Sequence, residues 1–345
     1  AGYLYGEIMS ITEQEINYAM QAISHKINTL CGETLPSYKE DHPLRWHIWE
    51  HEVLGTPVVV FNPHAWTVCM ALEINEVAGK MTDEQGNEIP FQIVRGDQTN
   101  GDKDKYHTAF MAEVEPMGYR VYRLYLEKKS EACFEKELSV TEHVLENRRI
   151  KVEFSRLTGD ICSIYDKLTG KYILNGVCSA VLLDETDCDT WAHNKKYLGE
   201  VVGKFGEPEF SIIEQGPVRA ILRVKTKYHD SILQRDYILE PGSDAVKVKA
   251  VVDFHEKHKT LKIAFPAAED KTVSKIPFGT IVRENGQGEE PTGSWFTNGR
   301  LCIANDSKYG YDTIGEKIRL TVLRSAIYAD HFGVRDKFCE YMEQG

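Results

Sequence analysis

The run D-E-T-D-C-D-T-W-A-H-N at 184–194 gathers four carboxylates, a tryptophan and a histidine within one short stretch. A tryptophan beside carboxylates suits a sugar, because the ring packs on the apolar face of a pyranose and the carboxylates accept hydroxyl hydrogen bonds. A cation held by Asp184, Asp187 and Asp189 is a rival reading. A solvated acidic loop with Trp191 tucked into a core is the plain structural one. The segment D-F-H-E-K-H at 253–258 allows a general acid–base or metal pair from Asp253 and His255, but a polar strand end that orients a turn is the reading its composition favours. His47 and His51, four apart beside His42, Asp41, Glu50 and Glu52, have zinc spacing, but a polar linker packed by Trp46 and Trp49 has the same composition. In N-D-S-K-Y-G-Y-D, 305–312, Lys308 and Tyr309 are candidates for ligand contact, and Gly310 between two tyrosines predicts a tight hairpin. The sequence has no phosphate-cradling glycine loop, G-x-S-x-G elbow or H-E-x-x-H helix, so it designates no nucleophile.

The elements that must carry these residues are mostly strands. Ile16, Met20, Ile23, Ile27 and Leu30 form one apolar stripe and predict a helix over 12–30. Thr12 with Glu15 reads as its capping-box start and Gly32 as its stop. A lone helix of that length is marginal in water and needs a partner surface. Residues 33–56 read as a polar linker. From residue 57 the period changes to two. Val68, Met70, Leu72 and Ile74 alternate with more polar neighbours, as do Ile150, Val152 and Phe154, then Val218, Ala220, Leu222 and Val224, then Val246, Val248, Ala250, Val252 and Phe254. Turn signals at Gly86-Asn87, Thr158-Gly159, Thr169-Gly170 and Pro241-Gly242 separate the runs. The expected fold class is mainly β: antiparallel β-sandwiches, a small one over 57–130 and a large one over 131–345, with one N-terminal helix at 1–32.

A net charge of −12 argues against nucleic acid or anionic membrane as partner. No apolar run is long enough to span a bilayer. The eight cysteines are dispersed with no C-x-x-C pair, which reads as free thiols in a reducing compartment, the cytoplasm.

Several runs, in order, resemble glycoside hydrolase family 38, the α-mannosidases: V-V-V-F-N-P-H-A-W (58–66), R-I-K-V-E-F-S-R-L-T-G-D-I-C-S-I-Y-D-K (149–167), G-P-V-R-A-I-L-R-V (216–224), V-D-F-H-E-K-H-K-T-L-K-I-A-F-P (252–266), I-P-F-G (276–279), N-D-S-K-Y-G-Y-D (305–312) and L-T-V-L-R-S (320–325). The resemblance implies that the helix is the last of a helical bundle, and that a large supersandwich of the galactose-mutarotase kind follows the small sandwich. It implies retaining hydrolysis of α-mannosides by a catalytic barrel, with zinc as cofactor of the complete enzyme. The nucleophile and zinc-ligand motifs of that barrel have no match here, so the chain is expected to be a fragment, inactive alone, with no catalytic residue or metal ligand of its own. By order along the chain, loop 184–194 corresponds to the family's loop that approaches the pocket, with Asp189, Trp191 and His193 as substrate-binding residues. The implied partners are an α-mannoside or mannose-containing oligosaccharide, the chain's own catalytic domain and a second copy in a homo-oligomer. A stand-alone carbohydrate-binding or interaction module is the alternative.

Overall fold

The computed structural model describes residues 2–31, 54–96, 105–192 and 195–327. The chain divides into two compact units, Ala1–Glu135 and Lys136–Gly345.

The first unit opens with α1 (Gly2–Ser24). The helix begins ten residues ahead of the expected Thr12 start. Thr12 is no cap: its hydroxyl donates to the Ile8 carbonyl at 2.8 Å, a mid-helix bond. Tyr3, Leu4, Glu7, Ile8, Met9 and Ile11 tolerate a helix well enough to offset Gly2 and Gly6. The end is also earlier than expected. Past Ser24 the bonds shorten to three-residue steps, Lys26 to Ile23 and Ile27 to Ser24. Ile16, Met20 and Ile23 are exposed among the described residues, whereas Ile27 and Leu30 are half-buried.

Six strands follow: β1 (Thr56–Phe61), β2 (Val68–Ile74), β3 (Lys80–Thr82), β4 (Phe91–Arg95), β5 (Tyr106–Val114) and β6 (Tyr119–Tyr125). They form two antiparallel three-stranded sheets, β1-β6-β3 and β2-β5-β4. The inward positions Val58, Val60, Leu72, Ile74, Phe110, Ala112, Tyr122 and Leu124 meet in one core with Met81. Arg123 is buried on the opposite side of β6; its guanidinium donates to the carbonyls of Thr29 at 2.6 Å and Leu54 at 3.2 Å.

The second unit runs through β7 (Ser139–Val140), β8 (Val144–Glu146), β9 (Ile150–Phe154), β10 (Ile161–Asp166), β11 (Lys171–Asn175), β12 (Ser179–Asp184) and β13 (Val201–Lys204). Next come β14 (Gly206–Gln215), β15 (Ala220–Tyr228), β16 (Ser231–Leu239), β17 (Lys247–Asp253) and β18 (Lys259–Pro266). The last are β19 (Lys271–Ile276), β20 (Gly279–Glu284), β21 (Glu289–Pro291), β22 (Trp295–Asn298), β23 (Leu301–Ala304), β24 (Gly310–Ile314) and β25 (Lys317–Arg324). The sheets are β11-β10-β9-β8-β7, β14-β15-β16-β17, β13-β12-β18-β25-β24-β21 and β20-β19-β22-β23. The alternating residues of β9 and β15 point inward as expected: Ile150, Val152 and Phe154 pack with Leu222 and Val224, and with Tyr237 and Leu239 of β16. Leu233 of β16 instead packs with Ala180, Leu182 and Leu261. The β14–β17 sheet is thus covered by two sheets in turn. Between the two patches Arg235 is buried and donates to Asp160 at 2.6 Å. Residue 246 and residues 252 and 254 point inward as the alternation predicts, but Val248 is 47% exposed. β17 is a sheet edge, and its residues 247–251 are exposed.

The expected hairpin at Gly310 does not form. Gly310 starts β24, which pairs with β25 and β21, while β23 pairs with β22. Residues 305–309 instead pass between sheets, with the Asn305 side chain accepting from Ser307 N at 3.2 Å and Lys308 N at 2.6 Å. Tyr311 is buried, stacked on Phe296 at 4.8 Å.

In the first unit Lys80 Nζ lies 2.8 Å from Glu88, and the Ser130 hydroxyl also donates to that carboxylate. The two together lower the Glu88 pKa to about 2. A carboxyl depressed on folding adds stability that is complete above its unfolded value near 4.5 and fades as pH falls towards about 2. Glu88→Gln is therefore expected to lower the melting temperature at pH 7 and to shrink that deficit at pH 2–3. Melting curves across this range check it; a deficit independent of pH contradicts it.

Candidate functional site

Strand β12 ends at Asp184, opposite Lys259 of β18. The Lys259 ammonium donates to Asp184 at 2.9 Å and the Thr186 hydroxyl at 2.7 Å. The Thr186 bond first and Lys259 second hold the Asp184 carboxyl below the usual range. That engagement removes Asp184 from a set of aspartates free to hold a cation. Among the described residues no three His, Cys, Asp or Glu side chains are placed to hold a metal ion. His42, His47 and His51 lie outside the described residues.

Glu185 is fully buried, so the loop does not fit the plain reading of a solvated acidic loop. Arg324 at the end of β25 donates through Nε to its carboxylate at 2.6 Å. The same guanidinium donates to the carbonyl of Thr190 at 2.8 Å and to that of Asp189 at 3.1 Å. Asp189 further forms a parallel bridge with Ile327, and the Thr190 hydroxyl donates to the Ile327 carbonyl. The planar fork of arginine meets the three acceptors from three separate nitrogens, a spread that the single ammonium of lysine lacks.

Behind the clamp the loop folds back on the sheet. Ala192, at φ 49, and Leu198 pack on Val181, Leu183 and Ala264. The buried Cys188 thiol donates to Leu198 O at 3.3 Å, and burial raises its pKa. Gly199, at φ 154, passes so close to Asp184 that a Cβ there would sit 1.8 Å from the Asp184 carbonyl oxygen. Lys196 O accepts from Glu289 N at 2.9 Å and Tyr197 OH donates to Gly286 O at 3.0 Å, so the return limb is tied as well.

Trp191 stands out of this anchored loop at 50% exposure, not in the core, and Asp189 beside it is half-buried. His193 lies outside the described residues. The arrangement presents an indole and a carboxylate on a fixed backbone. Among the described residues it contains no paired nucleophile and base.

The segment 253–258 takes its structural role. Glu256 accepts from the Ser231 hydroxyl at 3.0 Å and faces His229 Nδ1 at 3.2 Å, while His255 pairs with Asp253 at 3.0 Å. His258, at φ 51, gives its carbonyl to Glu185 N at 2.8 Å. This turn thus supports the loop from below. Sequence reading missed Glu185 and Arg324 as a pair; Arg324 sits inside the run L-T-V-L-R-S, but no spacing links residues so far apart.

Residues 145–332 match the family model described as the glycosyl hydrolases family 38 C-terminal domain. No curated protein matches the chain. Among solved structures, a protein in glycosyl hydrolase family 38 from Enterococcus faecalis is similar at 14% identity with a TM-score of 0.62, over 79% of this chain and 41% of that one. An α-mannosidase from Enterococcus faecalis V583 is similar at 14% identity with a TM-score of 0.60, over 79% and 40%. The chain spans about two-fifths of the length of those proteins.

Arg324→Met would leave the Glu185 carboxylate buried without its cation. Removing one partner of a buried pair costs about 3–5 kcal/mol. Urea unfolding of this variant checks it, with Arg324→Lys expected to recover part of the loss; a loss under about 1 kcal/mol would make the pair dispensable.

Proposed function

The chain belongs to glycosyl hydrolase family 38 through its C-terminal domain, and from that premise we propose that it is the non-catalytic C-terminal portion of a retaining α-mannosidase, supporting the catalytic domain and completing its substrate pocket. The observation that carries this reading is the anchored loop 184–192, which holds Trp191 half-exposed beside Asp189. A ring left half in solvent on a braced loop is suited to a ligand, because its backbone loses no further freedom on binding.

In retaining hydrolysis one carboxylate attacks the anomeric carbon and a second serves as acid and then base. Neither role falls to this chain. Its part is to bind and orient: the Trp191 indole against the apolar face of the sugar, the Asp189 carboxylate accepting from a hydroxyl, and His193 completing the subsite. Zinc is a cofactor of the complete enzyme in this reading, held by the catalytic domain; the described residues do not fit a zinc site, and no step through zinc is assigned to them. The helix α1 offers its exposed Ile16, Met20 and Ile23 to a helical bundle of the complete enzyme or to a second copy of the chain. Among the described residues the thiols of Cys31, Cys133, Cys162, Cys178, Cys188 and Cys302 form no disulfide, which supports a reducing, cytoplasmic setting. No described helix is long and apolar enough to cross a membrane.

In the complete enzyme, Trp191→Ala and Asp189→Asn are each expected to lower kcat/KM for an α-mannoside roughly tenfold to a hundredfold, about 1–3 kcal/mol, with little change in melting temperature. Loss of a nucleophile would cost far more. Steady-state kinetics beside thermal unfolding check this. Wild-type kinetics in both variants would remove the subsite, and a proportionate loss of stability and activity would make Trp191 structural.

A further inference from the structure

The first unit carries a second exposed tryptophan whose setting nothing above explains. Trp66, between β1 and β2, is 62% exposed. The imidazole of His64 stacks on its indole, with ring centroids 4.7 Å apart and planes within 20°. A stacked neighbour covers at most one face of an indole, so an exposure this large leaves the other face open.

The loop that holds this pair is rigid. Asn62 is buried, and its side-chain amide donates to the carbonyls of Trp66 at 2.8 Å, Val114 at 2.9 Å and Glu115 at 3.0 Å. Its carbonyl oxygen accepts from His64 N at 2.9 Å, and its backbone N–H donates to Gly118 O at 2.8 Å. Met117, at φ 50, closes the facing turn with a bond to His64 O at 2.9 Å. One buried amide therefore fixes both turns, and a non-glycine residue accepts a left-handed backbone to complete them.

Polar side chains sit on the same two turns, whose Trp66 and Glu115 carbonyls share the Asn62 amide. The Thr67 hydroxyl donates to the exposed Glu115 carboxylate at 3.1 Å, and the stacked His64 imidazole brings two ring nitrogens to the pair. A flat ring with an open face, a fixed backbone and hydrogen-bonding groups at its border is complementary to a pyranose, which has one apolar C–H face and hydroxyls around its rim. A broad protein contact would call for a wider apolar field than one stacked pair with Met117 and Tyr119 beside it.

We propose that His64 and Trp66 form a saccharide-binding platform in the first unit, taking one neutral hexopyranose ring of an oligosaccharide between the open indole face and the Glu115–Thr67 edge. It is a binding subsite with no chemistry of its own. It rests on the preceding reading only for the choice of mannose as first probe.

The test uses the full chain. The indole N–H signals of Trp66 and Trp191 are assigned by NMR with Trp66→Phe and Trp191→Phe. Mannotriose, maltotriose and cellotriose are then titrated separately. The expected result is movement of the Trp66 signal with half-saturation on the order of 1 mM, weakened at least about tenfold by Trp66→Ala and less by Glu115→Gln. Trp66→Ala keeps the loop, because Asn62 is bonded to the Trp66 carbonyl and not to its ring; an unchanged melting temperature verifies that. Movement with maltotriose or cellotriose but not mannotriose supports the platform and counts against the α-mannoside reading. A Trp66 signal still at about 20 mM of every sugar overturns the platform, whatever the kinetics of the Trp191 variants. Self-association of the chain that Trp66→Ala abolishes, with no sugar response, also overturns it and makes the pair a protein contact.

Discussion

A carboxylate with no access to water must have its cation, and the second unit is organised around that requirement at Glu185. The charge is fully buried, and Arg324 answers it from the far end of the sheet sequence. An unpaired carboxylate at that depth would cost several kcal/mol, a large part of the stability of an ordinary domain. The pair therefore persists only when β12 and β25 are both in register with β18, which lies between them. Because the same guanidinium also takes the carbonyls of Asp189 and Thr190, strand register and loop shape are set by one side chain. The position of Trp191 follows from both.

Similar logic recurs elsewhere in the unit. Lys262 is buried against Asp312 at 3.0 Å and Glu289, and Asp312 is gripped by Arg319 through two bonds of 2.6 and 2.7 Å. These residues tie β18, β21, β24 and β25 across one sheet. Asp160 and Arg235 do the same where one sheet changes its covering partner. Such pairs add little net stability over apolar packing, since desolvation offsets most of the attraction. Their effect is on register: a strand slipped by one residue would bury an unpaired charge.

The β character was legible because alternation is a local property. Ile150, Val152 and Phe154 point inward as their spacing requires, and so do Ala220, Leu222 and Val224. The failures came where burial depends on what lies opposite. Val248 keeps the pattern but sits on an uncovered edge. Thr12 has a capping residue's chemistry, yet the apolar residues before it carry the helix past it. Composition marks the loop 184–194 as rich in acids without telling which of them is buried. Nothing local distinguishes Glu185 from Asp187. Only the distant Arg324 makes one buried and leaves the other exposed.

If Trp191 binds substrate as proposed and Arg324 shapes the loop that places it, the two residues must be energetically coupled in substrate turnover. The direct measurement is a double-mutant cycle on kcat/KM in the complete enzyme with Arg324→Lys and Trp191→Ala. The account predicts that Arg324→Lys already removes much of the benefit of the ring, so that the double variant falls short of the sum of the singles by about 1 kcal/mol or more. Additive losses within about 0.3–0.5 kcal/mol would contradict it, separating the clamp from the function of the loop.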